Sequence, residues 1–119
     1  EDGQRVEPSK PNAIKLEAFI FDAIPMAKNP LILQTIRAEE FSPVKNATGV
    51  DSAETTRRDM NRRVVAWLQA AGFDVPLKPD GEPDGVFELS PLLALDAGHL
   101  REVMLTAPTI RQGQDNYWE

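Results

Sequence analysis

Residues 52–72 read SAETTRRDMNRRVVAWLQAAG and have the strongest helix pattern in the chain. Ser52 or Asp51 suits the N-cap, where a side-chain oxygen accepts a hydrogen bond from a free backbone N–H, and Gly72 suits the left-handed position just after a helix. Apolar residues recur between them at helical spacing, which predicts one buried face. These residues are Met60, Val64, Trp67, Leu68 and Ala71. The segment therefore predicts a long amphipathic helix.

Upstream of this helix, two segments have the pattern of strands. Residues alternate strictly from Ile14 to Phe21, so that one face is apolar and the other changes from charged to aromatic. Asp22 suits the cap of a short helix, Ala23 to Lys28, which Asn29-Pro30 would end because the residue before proline avoids helical geometry. The apolar run that follows predicts a second strand from Leu31 to about Arg37.

Downstream of the long helix, the pattern predicts a hairpin. Residues 73–77 and 86–89 are expected to pair as strands around the turn-rich segment 78–85. His99 to Met104 could form about one helical turn. The last fifteen residues are mostly polar, contain Pro108, and are expected to be loosely held.

Composition excludes several classes of function. A chain of 119 residues allows one compact domain, and its net charge of −6 argues against a general binder of nucleic acid or of acidic membrane surfaces. The absence of cysteine excludes disulfides, thiolate nucleophiles and cysteine-bound zinc. The longest apolar run, Val64 to Leu68, is too short to span a bilayer. We therefore expect a cytoplasmic protein, and its first residue, Glu1, leads us to expect a fragment of a longer one.

Three groups of polar residues have simpler explanations than catalysis or metal binding. His99 is the single histidine and has no patterned nucleophile, so a catalytic triad is not expected. Residues 80–85 mimic the start of a calcium loop, but the twelfth position, which must supply a bidentate glutamate, is Pro91. Glu39 and Glu40 are adjacent and would point to opposite faces of a strand, which favours solvated charges. No metal site is predicted in this chain.

Three other features leave two explanations open. Phe19 and Phe21 share a strand face and would either wall a sugar or nucleotide pocket or simply pack. Lys45 lies in a loop just before a helix N-terminus, where it would either hold an anion or be an ordinary surface lysine. The long helix also carries four arginines that would either bind phosphate or form a solvated face. They are Arg57, Arg58, Arg62 and Arg63.

Several stretches resemble the C-terminal third of UDP-N-acetylhexosamine pyrophosphorylases, of the eukaryotic-type UDP-sugar pyrophosphorylase family. Residues 11–22 read PNAIKLEAFIFD and residues 37–47 read RAEEFSPVKNA, in the order and spacing of that family. The shorter matching stretches are Ala27-Lys28, Thr55-Thr56-Arg57 and Glu88-Leu89-Ser90-Pro91-Leu92. The resemblance covers roughly residues 8–104.

The resemblance implies an activity and roles for the open candidates. Members of the family transfer a uridylyl group from UTP to a sugar 1-phosphate with Mg²⁺ and release pyrophosphate, and N-acetylglucosamine 1-phosphate is the expected acceptor. By resemblance, Phe19 and Phe21 flank the sugar, and Lys45 contacts the phosphates as a catalytic residue. The family's glycine-rich nucleotide loop, uracil-binding segment and metal-binding aspartate have no counterpart here. We therefore expect the Mg²⁺ ligands to lie outside this chain, and the chain to be inactive alone.

The resemblance also implies an α/β architecture. Residues 1–45 would be the last strands and helix of a Rossmann-like nucleotidyltransferase catalytic domain, and residues 46–119 a small C-terminal α+β domain. The expected partners are UTP, a sugar 1-phosphate and the upstream catalytic domain of the same protein, without nucleic acid or membrane. The alternative is a non-catalytic sugar-phosphate-binding or regulatory module.

Overall fold

The structure, a computed structural model, describes residues 3, 5 and 7–119. The chain divides into two units, residues 1–34 and residues 35–119, and the second unit contains three α-helices and a two-stranded sheet. None of the helices in the described residues combines the length and the apolar character that a membrane crossing requires.

The second unit is organised around the predicted long helix. Helix α1 covers Arg37–Glu40 and helix α2 covers Ala53–Ala70. Ser52 is the N-cap of α2: its hydroxyl accepts from the N–H of Thr55 at 3.4 Å, and the Thr55 hydroxyl accepts from the N–H of Ser52 at 2.9 Å. Gly72, with φ +89°, follows the end of the helix. The prediction of a helix bounded by Ser52 and Gly72 is confirmed, because these caps depend only on local sequence.

A small sheet packs against α2. Strand β1 covers Val86–Leu89, helix α3 covers Ala97–Val103, and strand β2 covers Asp115–Trp118. The two strands pair in parallel, with Val86 opposite Asp115. Apolar side chains from α2, β1, α3 and the segments between them form one buried core. Its buried members are Val64, Val65, Leu68, Val75, Phe87, Ala94 and Leu100.

Polar contacts fix α2 to the outer edge of β1. The side-chain amide of Asn61 donates to the Gly85 carbonyl at 3.0 Å, and its oxygen accepts from the Phe87 N–H at 2.8 Å. The amide thus satisfies two backbone groups that a neighbouring strand would otherwise pair. At the next residue of the helix, the Arg62 guanidinium binds Glu82 with both Nε and Nη2. The helix and the 78–85 turn are therefore joined at two points.

The predicted hairpin partner of β1 is wrong. Residues 73–77 form no strand, and Leu77 makes only an isolated antiparallel bridge to Pro83 across the turn. The partner is β2, which lies in the tail that we expected to be loose. The buried Asn116 side chain holds the tail by binding the N–H and C=O of Arg111 at 2.8 and 3.0 Å, and the Trp118 ring stacks on Phe87 at 6.4 Å. A polar residue at a buried position hid this strand from the sequence pattern.

The strands predicted in the first half of the chain are also absent from the structure. Residues 11–19 and 31–36 have no regular secondary structure, and a 3₁₀-helix covers Ile20–Met26, starting before the predicted short helix. Ile14 and Leu16, expected on a buried face, are 89% and 91% exposed. A strand needs backbone partners on a neighbouring strand, and the described residues of 1–34 supply none. The Rossmann-like assignment and the domain boundary after residue 45 stay predictions.

Candidate functional site

Lys45 begins a closed loop that leads directly into α2. The N–H groups of Lys45 and Asn46 both donate to the Asp51 carbonyl, at 2.6 and 3.0 Å. The Asn46 side-chain amide donates to the Val50 carbonyl at 2.7 Å. Gly49 and Asp51 have φ values of +78° and +56°, so the backbone turns back on itself within a few residues. The loop places Lys45 beside the N-terminal end of α2, as the sequence predicted.

The Lys45 side chain has two neighbours and remains accessible. Its Nζ lies 3.7 Å from Oδ2 of Asp51 and 5.9 Å from the centre of the Phe41 ring. The Lys45 side chain is 64% exposed, whereas that of Asp51 is 29% exposed. An exposed ammonium with a loose carboxylate partner can exchange that partner for another anion, because a solvated ion pair contributes little free energy.

Helix α2 holds the segment that precedes the loop. The Thr56 hydroxyl lies 3.2 Å from the carbonyl oxygens of both Ser42 and Pro43, within hydrogen-bond reach of each. The Ser42 hydroxyl donates to Asp59 at 2.8 Å. These bonds come from successive turns of one rigid helix, so the backbone two residues before Lys45 has a fixed position. These bonds could not be predicted from the sequence, because the partners are 13 to 17 residues apart and belong to no recognisable motif.

A second set of contacts joins α2 to Glu39. The indole N–H of Trp67 donates to the Glu39 carboxylate, and Arg63 donates to the Glu39 carbonyl, each at 2.9 Å. The Arg63 guanidinium also lies 5.2 Å from the centre of the Trp67 ring. Glu39 is therefore a structural partner of α2 and not only a solvated charge. Trp67, expected in the core, combines partial burial with a polar contact.

Phe19 and Phe21 lie together in the first unit. Their ring centres are 5.2 Å apart and the rings are tilted by 49°. They are 56% and 63% exposed. The Phe19 carbonyl accepts from the Asp22 N–H at 3.0 Å, which folds the backbone into the 3₁₀-helix that starts at Ile20. The two rings thus offer a largely exposed aromatic surface, although no strand aligns them. Lys45 belongs to the other unit.

Two of the four α2 arginines have structural partners, and the other two line a groove. Hydrogen bonding to Glu82 raises the pKa of Arg62, and the same contact holds the pKa of Glu82 below its ordinary value. Arg63 is engaged by Glu39, as described above. Arg57 and Arg58 line a groove of about 1270 Å³ between α2 and β1, which does not include Lys45. Phosphate binding by the helix face stays an open prediction for these two residues.

The remaining polar candidates have local structural roles. The Asp96 side chain caps α3 by accepting from the His99 N–H at 2.8 Å, and His99 Nδ1 accepts from the Leu95 N–H at 3.3 Å. In the 78–85 turn, Asp80 accepts from the Glu82 N–H at 3.0 Å. Across the part of the chain that the structure describes, no three acidic or histidine side chains converge as a metal site would require. These residues do not fit Mg²⁺, and the expectation that its ligands lie elsewhere stays a prediction.

Comparison with known proteins gives the site a context. No protein-family model and no solved structure matches the chain. The chain is 39% identical over 108 residues to human UDP-N-acetylhexosamine pyrophosphorylase-like protein 1, a match covering 79% of this chain and 21% of the human protein. It is 37% identical over 102 residues to a probable UDP-N-acetylglucosamine pyrophosphorylase of Dictyostelium discoideum, covering 83% of this chain and 20% of that protein.

A yeast protein extends the same pattern. The chain is 41% identical over 75 residues to the UDP-N-acetylglucosamine pyrophosphorylase of Saccharomyces cerevisiae, a match that covers 59% of this chain and 16% of the yeast protein. The chain spans about one fifth of the length of the human and Dictyostelium relatives. The resemblance seen in the sequence is confirmed: across most of its residues, this chain is related to the UDP-N-acetylhexosamine pyrophosphorylase family.

Proposed function

We propose that this chain is part of a UTP-dependent uridylyltransferase that makes a UDP-sugar and pyrophosphate from UTP and a sugar 1-phosphate. The observation that carries the proposal is the Lys45 loop. An exposed ammonium beside the N-terminal end of a long helix is a site where phosphate charge is favourable. The names of the Dictyostelium and yeast relatives support the same chemistry.

The role of Lys45 follows from the demands of the reaction. Attack of a sugar phosphate on the α-phosphorus of UTP brings anions together, so catalysis depends on positioning and on neutralising charge. An ammonium held at a fixed point neutralises that charge without reorganising during the reaction. The hydrogen bonds that the Thr56 hydroxyl donates to the segment before Lys45, and the one that Asp59 accepts from Ser42, provide the rigidity that such a contact requires. Mg²⁺, held by residues outside this chain, would neutralise further phosphate charge.

Phe19 and Phe21 would contact the sugar in the same enzyme. Both rings are more than half exposed, so they have surface free for a ligand, and aromatic rings commonly line sugar pockets. We propose N-acetylglucosamine 1-phosphate as the acceptor, because the relatives' names specify that sugar or N-acetylhexosamine. The Rossmann-like fold and an upstream catalytic domain that binds UTP belong to the same proposal.

The test is an assay of pyrophosphate release with UTP and N-acetylglucosamine 1-phosphate. The complete protein is expected to turn over, whereas the 119-residue chain alone is expected to release no pyrophosphate above background. Calorimetric titration of both proteins with the sugar phosphate distinguishes the enzyme from a non-catalytic module that only binds sugar phosphate. Binding without turnover by the complete protein would favour a non-catalytic sugar-phosphate module and would refute the enzyme. Turnover by the isolated chain would refute the need for an upstream domain.

A further inference from the structure

Asp51 acts on Lys45 through both its backbone and its side chain. Its carbonyl accepts the N–H groups of Lys45 and Asn46, which closes the loop. Its carboxylate oxygen lies 3.7 Å from the Lys45 ammonium. The helix pattern offered Asp51 only as an alternative N-cap, a position that Ser52 takes in the structure, and the family resemblance did not single it out. One residue thus determines where the Lys45 backbone lies and which anion its side chain meets first.

The backbone of Asp51 is unusual for a residue with a side chain. Its φ of +56° lies in the left-handed region, and no other non-glycine residue among those described has a positive φ. Glycine would adopt this conformation without steric strain, and asparagine tolerates it as well as aspartate does. The backbone therefore explains a short polar residue or glycine at this position, but it does not explain a negative charge. The carboxylate requires its own explanation.

The carboxylate occupies the position of an anion at the lysine. The pair is loose and the Lys45 side chain is 64% exposed, so a phosphate oxygen can replace the carboxylate at small cost in free energy. While it is in place, the carboxylate restricts the directions that the flexible lysine side chain can take. When phosphate arrives, the carboxylate competes with it for the ammonium. These two effects oppose each other in binding.

We propose that Asp51 is a positioning residue that serves as the resident counter-ion of Lys45 and lowers the affinity of the site for phosphate. The inference rests on the proposed function, in which Lys45 contacts the phosphates of the substrates. Asp51 would hold the ammonium in the empty site and give it up to the incoming phosphate. The carboxylate thereby keeps phosphate binding weak enough to be reversible without slowing the chemical step.

The experiment compares Asp51→Asn with the wild type in the complete enzyme. Asparagine keeps the left-handed backbone and the size of the side chain while removing the charge. The KM for N-acetylglucosamine 1-phosphate is expected to fall about threefold, the scale of one partly exposed ion pair, with kcat unchanged. Asp51→Gly, which also suits the backbone, should give the same KM. Glu54→Gln removes another charge from the same end of α2 and should leave the KM unchanged.

A double-mutant cycle tests whether Asp51 acts through Lys45. In a Lys45→Ala background, Asp51→Asn is expected to have little further effect on KM, because the carboxylate no longer has a cation to withhold. A separate readout uses the 119-residue chain titrated with inorganic pyrophosphate while the Lys45 ε-methylene resonance is followed. Half-saturation is expected at about one third of the wild-type pyrophosphate concentration in Asp51→Asn.

The outcomes separate this inference from the proposed function. If Lys45→Ala slows turnover but Asp51→Asn has a wild-type or higher KM, the counter-ion role is refuted and the enzyme proposal stands. If the effect of Asp51→Asn persists fully without Lys45, the residue acts directly on substrate, and its positioning role is refuted. If the complete enzyme is inactive, the proposed function fails. The pyrophosphate titration then decides the counter-ion role alone, and equal half-saturation in both chains would refute it.

Discussion

The two units of the chain differ in how they use their apolar residues. In residues 35–119, α2, β1 and α3 enclose a core that includes Leu68 and Leu100, neither of which is measurably exposed. In residues 1–34, the described apolar side chains remain exposed, and none of the residues that the structure describes there is buried. Both segments contain hydrophobic residues in regular patterns. The difference shows that a pattern stabilises a structure only when the chain also supplies the surface against which the pattern can pack.

The candidate site residues are distributed between these two environments. Lys45 lies in the packed unit, where its loop is closed by backbone hydrogen bonds and its flanking segment is held by α2. Phe19 and Phe21 lie in the exposed unit, where little besides their mutual contact fixes the rings. We therefore expect substitutions of packed residues to change stability, and substitutions of Lys45 and of the two rings to change function alone.

The largest expected effect concerns the core of the second unit. Leu68→Ala should lower the free energy of unfolding of the 119-residue chain by about 2–5 kcal/mol, because it leaves a cavity at a fully buried position. Urea denaturation measures the change. Leu16→Ala, the matched substitution in the exposed unit, should leave the unfolding free energy within about 0.5 kcal/mol of the wild type. Equal effects at the two positions would contradict the contrast between the units.

Lys45→Ala tests whether a residue of the packed unit can act without supporting its fold. In the complete enzyme, kcat is expected to fall by about 10²–10³, the scale for removing one preorganised electrostatic contact from a closed site. The melting temperature should barely change, and Lys45→Arg should restore only part of the rate, because a forked guanidinium does not reproduce a compact ammonium. Lys78→Ala, another exposed lysine of the same unit, is the control. A folded Lys45→Ala enzyme with near wild-type kcat would rule out the catalytic role.

Phe21→Ala tests whether the exposed unit contributes to substrate binding. In the complete enzyme, the KM for the sugar 1-phosphate should rise about tenfold while the KM for UTP stays unchanged, because one aromatic contact is worth about 0.5–1.5 kcal/mol. Ile20→Ala removes the exposed apolar side chain of the residue between Phe19 and Phe21 in the sequence and should leave both KM values unchanged. A large fall in melting temperature with an unchanged KM would instead identify Phe21 as a core residue of the complete protein.

The smallest expected effect concerns surface ion pairs. Because Arg62 holds the pKa of Glu82 below its ordinary value, the ionised carboxylate stabilises the folded state. That stabilisation is fully present above the unfolded pKa of about 4.3 and is lost as the pH falls through the lowered pKa. Glu82→Gln should therefore lower the melting temperature slightly at pH 7, by an amount that shrinks on acidification and in high salt.

The control for this pair comes from the exposed unit. Lys15 and Glu17 also form an ion pair, but they lie on a segment without regular secondary structure. Glu17→Gln should leave the melting temperature unchanged at every pH, because the pair joins no two packed elements. A melting temperature that responds to Glu17→Gln as it does to Glu82→Gln would show that the first unit contributes to the cooperative fold.

Local rules explain what could be predicted from the sequence. The caps at Ser52 and Gly72 depend on residues within one helical turn, so the boundaries of α2 could be predicted from residue type alone. The position of Lys45 in a loop before that helix followed directly. The side-by-side placement of Phe19 and Phe21 also matches the structure, although the strand from which it was derived is absent.

The remaining features depend on partners that are distant in sequence. Strand β2 is polar, and only its pairing with β1 and the burial of Asn116 reveal that it belongs to the core. The alternation from Ile14 to Phe21 predicted a buried face, but burial requires a neighbouring layer that the described residues of 1–34 do not supply. Asp51 could be predicted only as an alternative N-cap, because neither its left-handed backbone nor its contact with Lys45 can be inferred from its identity. In each case, the structure depends on a contact with residues that lie outside the local sequence pattern.

The parallel pairing of β1 and β2 has a consequence for the order of folding. No hydrogen bond of this sheet can form until the intervening chain, including all of α3, has looped back. Closing such a loop costs conformational entropy before any favourable contact between the strands has formed. Helix α2 can form from local contacts, so β2 should dock last. Substitutions such as Trp118→Ala should therefore speed unfolding and leave the folding rate nearly unchanged, as stopped-flow kinetics would measure. During synthesis, Phe87 has no stacking partner until residue 118 has left the ribosome. Until then the edge of β1 is unpaired, and the risk of aggregation is greatest in this period.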